Sequence, residues 1–220
     1  MSRRAVPLVA LALGLIVVTA ATADSTDPKV KISKADQAHA NASILRFSDL
    51  GPAWTGGAEK PASLKIPVCP GYQPNDSDLT ITGHAESGLT LSSAAIQVDT
   101  DVEIFKSPQQ VAKLVKRVLQ PLALDSCLRY DLLKTVGGQG VTIVGVSQLP
   151  VAKAGDDASL NRVTLSVKSN GKTVGVFSDF LYVSKGRTQF FVNIVSPGSL
   201  KSQLPSLENG IAKVLAGRAV

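Results

Sequence analysis

The sequence predicts an α+β fold: a twisted antiparallel sheet of about six strands packed with helices. Three observations carry this. Apolar and polar residues alternate over several stretches, which marks strands with one buried and one wet face. Consecutive strands are joined by short turn signals, as at Asn170-Gly171 and Lys185-Gly186. Helical patterns stand in blocks rather than alternating with strands, which separates α+β from doubly wound α/β. The order read along the chain is α-β-β-α-α-β-β-β-β-α.

The chain opens on Met1-Ser2-Arg3-Arg4, then an apolar run from Ala5 to Val18, then Ala21-Thr22-Ala23. A charged start, a short apolar core and a small-residue exit read as a cleavable signal peptide over residues 1–23. The run is shorter than the roughly 20 residues a membrane-spanning helix needs. Arg3-Arg4 is also half of a twin-arginine signal, so both export routes stay open. The expected location is therefore secreted or in the cell envelope, with the membrane met only transiently during export. Residues 24–32 are polar, contain Pro28 and read as a flexible tail. Residues 33–220 are long enough to bury a core and read as one α+β domain.

Within that domain Ser33 caps a helix running to about Leu45, and Gly51-Pro52 stops it. Ala53-Trp54-Thr55-Gly56-Gly57 follows, and Ala58 to Ser77 is loop-rich, with Pro61, Pro67, Pro70, Gly71 and Pro74. Leu79–Gly83 is a strand. Ala95–Phe105 is the clearest one, with Ile96, Val98, Val102 and Ile104 on one side and Gln97, Asp99, Asp101 and Glu103 on the other. Ser107-Pro108-Gln109-Gln110 has the pattern of a capping box opening a helix. A second helix is expected over Pro121–Val136. Strands follow at Val141–Leu149, Asn161–Lys168, Thr173–Val183 and Thr188–Val195. A closing helix over Ser202–Ala216 carries Leu204, Leu207, Ile211, Val214 and Leu215 on one face.

The formal charge is +6, and two of those charges, Arg3 and Arg4, leave with the leader. The remaining Lys and Arg are scattered, which argues against a nucleic-acid partner. Cys69 and Cys127 are the only cysteines. In an exported chain an even pair favours a disulfide, and two Cys without a nearby His make no metal site. No cofactor motif is present: Asn170-Gly171-Lys172-Thr173 imitates a phosphate loop but has Ser166 where glycine is needed.

The histidines are His39 and His84. His84 precedes Glu86 by two residues, a pairing that suits a general base and keeps an envelope hydrolase as an alternative. No Gly-x-Ser-x-Gly elbow accompanies it. Asp99, Asp101 and Glu103 form one dense carboxylate face. It reads either as a Ca²⁺ surface or, preferred, as a wet face paired across strands with Arg162 or Lys168. Trp54, the sole tryptophan, reads either as a plug in the core or, with Tyr72, as the rim of a ligand pocket.

The stretch Asp36-Gln37-Ala38 through Leu45-Arg46-Phe47-Ser48-Asp49-Leu50-Gly51-Pro52-Ala53-Trp54 resembles the opening of actinobacterial exported proteins of unknown role. The layout, with one Cys before the first strand and another in a helical block, is similar to extracytoplasmic sensor domains of mycobacterial serine/threonine kinases and related lipoproteins, which have a PsbP-like sandwich. The chain departs from them in lacking a lipobox, a kinase and a transmembrane helix. The resemblance implies a secreted, non-catalytic, sensor-like binding domain for a small or polymeric envelope ligand or a protein partner, and it transfers no catalytic residues. The alternatives are a structural or assembly factor of the envelope and the hydrolase using His84 and Glu86.

Overall fold

The long strands are where alternation is strongest. The structure, a computed structural model, describes residues 26–61, 75–118, 130, 140–169 and 171–220. The leader over residues 1–23, Tyr72, the expected Cys69–Cys127 disulfide and, but for Tyr130, the helix expected over Pro121–Val136 lie outside these.

The described chain runs β1 (Lys29–Val30), α1 (Lys34–Ser43), a single helical turn α2 (Phe47–Leu50), β2 (Thr55–Glu59), β3 (Thr80–Leu91), β4 (Ile96–Phe105), α3 (Pro108–Val118), β5 (Val141–Leu149), β6 (Asp157–Ser169), β7 (Lys172–Lys185), β8 (Thr188–Pro197) and α4 (Leu204–Arg218). One sheet holds all eight strands in the order β1-β3-β4-β8-β7-β6-β5, with β2 also on β3. The expectation of about six strands is thereby overturned, although the architecture is still α+β-like. Both added strands lie along one edge of β3. β1 runs parallel to it at Thr80 and Ile81, and β2 antiparallel to it from Glu86 to Thr90.

The reason they escape sequence reading is physical. β1 has two residues, too few for a period. β2 is Thr-Gly-Gly-Ala-Glu, with no apolar alternation, and it sits where backbones approach closely. Gly56 has φ +113, and a Cβ there would collide with the Gly88 carbonyl. Side-chain burial therefore contributes little to β2; backbone pairing holds it.

Helices cover both faces. On the first, α1 and α4 pack over Ala85, Leu89, Val98, Val102, Ile104, Leu181, Phe190, Val192 and Ile194. Each such side chain, fully buried, contributes about 1.5–3 kcal/mol. Ser33 caps α1 as expected, its Oγ accepting from the Asp36 N–H at 3.1 Å. Arg218, ending α4, donates to the Ile44 carbonyl at 2.7 Å and to both Asp49 oxygens, tying the helical layer together. On the opposite face α3 lays Val111 and Leu114 on Leu79, Ile81 and Phe105. Gln110 does not close a capping box: its side chain accepts from the Thr80 N–H at 3.0 Å and donates to the Asp78 carbonyl, anchoring α3 to the start of β3.

Candidate functional site

The polar side of β4 was visible in its alternation; what stands opposite it was not. β3 carries one extra residue at Thr82, so the register steps from Ile81↔Phe105 to Gly83↔Ile104. A one-residue slip sends every following side chain to the other face. Beyond the bulge Ala85 and Leu89 enter the core, while His84 and Glu86 turn to the α3 side. There His84 lies opposite Glu103, Glu86 opposite Asp101 and Gly88 opposite Asp99. The two features read separately from the sequence, the His84/Glu86 pair and the β4 carboxylates, are one cluster.

His84 is buried, and its Nε2 lies 3.3 Å from Glu86 Oε1 and 3.3 Å from Asp101 Oδ2. Its backbone is held at the stretch of β3 edge between β1 and β2, where no described strand pairs with it. Gln37 of α1 closes that gap from both sides. Its Nε2 donates to the His84 carbonyl at 2.7 Å, and its Oε1 accepts from the His84 N–H at 3.3 Å. Gln37 is thus a positioning residue, and nothing in its local sequence marks it as one.

The electrostatics are those of crowded acids. Burial works against the His84 imidazolium, but Asp101 and Glu86 outweigh it and hold the pKa above the ordinary value. Burial raises Glu103 well above the usual carboxylate range, helped by Asp101, Asp76 and Glu86. Burial also raises Asp99, against the Gln97 amide that donates to both its oxygens. Among the described residues no lysine or arginine pairs with Asp99, Asp101 or Glu103.

The cross-strand pairing expected with Arg162 or Lys168 does not form. β4 pairs with β3 and β8, and β8 and β7 separate it from β6. Arg162 lies on the core face instead, forked onto Asp179 at 2.6 Å twice and reaching Glu208 at 3.0 Å. Trp54 is packed in the core between the sheet and its helices at 7 % exposure.

The same polar face continues across β8 and β7, because Glu103 lies opposite Gln189, and Gln189 opposite Ser184. Among the described residues Gln189 Oε1 is buried there without a hydrogen-bond partner, Tyr182 Oη has Ser184 beside it, and Asp76, just before β3, holds Arg117 with one oxygen and leaves Oδ2 without a partner; Glu103 acts electrostatically on Tyr182 and feels Asp76. These oxygens come from segments far apart in sequence, so no local motif points to them. No protein-family model matches the chain, and neither does a curated protein or a solved structure.

Proposed function

We propose that the chain is an exported, non-catalytic, sensor-like binding domain of the cell envelope that meets its ligand or partner on the polar sheet face around His84, Asp101 and Glu103. The observation that carries this reading is the set of three partly buried carboxylates on β4, of which Asp101 meets the buried His84 ring while Asp99 and Glu103 meet no cation among the described residues, on a sheet backed by a packed core. Half-buried charge without a counter-charge is costly, and a complementary ligand relieves that cost. Among the described residues the polar partners of the His84 ring are Glu86 and Asp101, and no serine, threonine or cysteine nucleophile is paired with it. This reading leaves out Trp54, whose side chain is packed in the core.

The test compares retention of the exported protein on isolated cell-envelope material with that of Asp101→Asn and Glu103→Gln variants. Retention of the parent and loss in both variants supports the reading. Equal retention of all three moves the binding surface elsewhere, and retention of none overturns an envelope ligand altogether.

A further inference from the structure

Resting on the reading of this sheet face as the binding face, we propose that His84 Nε2, Glu86 Oε1 and Asp101 Oδ2 form a three-ligand site for a first-row divalent metal ion of the zinc class, with its remaining positions open to an outside ligand.

The first argument is distance. Charge-assisted N–H···O bonds run at about 2.7–2.9 Å. Both His84 contacts are 3.3 Å, longer than that range and equal to each other. A single Nε2 hydrogen cannot serve two carboxylates at full strength. Ligand atoms about 2.0–2.1 Å from a common tetrahedral centre are about 3.3 Å apart, and the three candidate atoms lie within 4.8 Å of one another. The two distances from His84 Nε2 match that spacing.

The second argument is charge and orphaned oxygen. Asp99 and Glu103 flank the trio on the same strand face, and no described cation offsets them. Among the described residues Gln189 Oε1, opposite Glu103, is buried without a hydrogen-bond partner, and Asp76, fully buried, holds Arg117 with one oxygen and leaves Oδ2 without a partner within the field of Glu103. Buried oxygens without donors mark a place where protons or a cation are missing.

The third argument is ligand type. Calcium and magnesium favour all-oxygen shells, whereas an imidazole beside two carboxylates suits zinc and its first-row neighbours. Local sequence does not join the His84/Glu86 pair to Asp101, because they come together only through the β3 bulge. Gln37 supplies outer support by fixing the His84 backbone.

The closing experiment strips the exported protein with a chelator and titrates it with Co²⁺, Zn²⁺ and Ca²⁺, reading heat and, for Co²⁺, the visible spectrum. The expected result is one Co²⁺ per chain with visible bands of a low-coordinate site, abolished by Zn²⁺. Affinity should fall by roughly 100-fold or more in His84→Ala, which removes a ligand, and by roughly 10-fold or more in Asp101→Asn, which replaces a charged ligand by a neutral one. Asp101→Asn is nearly isosteric and half-exposed, so it guards against misfolding of the His84 variant. Binding of Ca²⁺ alone overturns the metal class. No metal binding, or metal binding indifferent to both variants, overturns the site. If metal binding fails while envelope retention still depends on Asp101 and Glu103, the binding-face reading survives without the metal.

Discussion

Glu208 faces the core from α4 and is 2 % exposed, with Arg162 and Asp179 beneath it. Burial first, and Asp179 second, push its pKa up to about 8, from an ordinary 4.5. The folded state therefore holds a proton that the unfolded state gives up above about pH 4.5. The resulting stability is complete below that value and is lost as pH rises towards and through about 8, on the order of a few kcal/mol in all. Denaturant midpoints measured from pH 5 to 9 should fall for the parent, and Glu208→Gln should flatten the slope. A parent midpoint that stays level across this range would place the proton elsewhere. Arg162 is the opposite case, because Arg162→Met strips Asp179 of its counter-charge and should cost about 3–5 kcal/mol. Gln37 tests the candidate site at the same scale: Gln37→Ala unpairs both backbone groups of His84. It should cost about 1–3 kcal/mol in denaturant stability and weaken binding at the sheet face, with the far-UV spectrum unchanged.

At the scale of elements, α1 meets β3 at Gly83. A Cβ there would run into the backbone carbonyl of Asp36, on the first turn of α1. Because the obstacle is backbone, α1 must lift or β3 must bend, and Gly83→Ala should destabilise the fold by about 1–3 kcal/mol by the usual scale of overpacking. Urea unfolding checks this, and an unchanged midpoint would mean the helix slides without cost. The same junction shows how far the sequence could be read. The strands from β4 to β8 and the three main helices declared themselves through period, but β3 was legible only to Gly83 and runs on to Leu91. The alternation at β4 placed its acids on one side. The bulge at Thr82 did not declare itself, since Leu79, Ile81 and Gly83 look like an unbroken strand. One extra residue then decides that Ile81 meets α3, that Ala85 meets α1, and that His84 stands over Glu103. A candidate site assembled by a register shift is invisible to any window of local sequence, as are the partners of Arg162, which lie 17 and 46 residues away.

For the whole molecule, the sheet is built from two local units, β3–β4 with their edge strands and the β5–β8 meander, and β4 pairing with β8 joins them. That seam links residues almost a hundred positions apart, as at Val98 and Ile194. Non-local pairing carries its loop-closure cost before its contacts form, so folding should be slow for the chain's size. Once formed, the seam is shared by one core. Phe190 on β8 lies between Val102 of β4 and Val183 of β7 with no solvent exposure, and α1 and α4 cover both units and hydrogen-bond to one another through Ser43 Oγ and the Arg218 carbonyl. The two units should therefore unfold together. Trp54, the sole tryptophan, reports on the first unit, and the far-UV signal sums the helices and strands of both. The two transitions in denaturant should coincide, and Phe190→Ala should move both by the same amount, about 3–5 kcal/mol. If fluorescence and far-UV midpoints separate, the β4–β8 seam is a boundary between two domains rather than the middle of one core, and the candidate site on β3 and β4 belongs to the first unit alone.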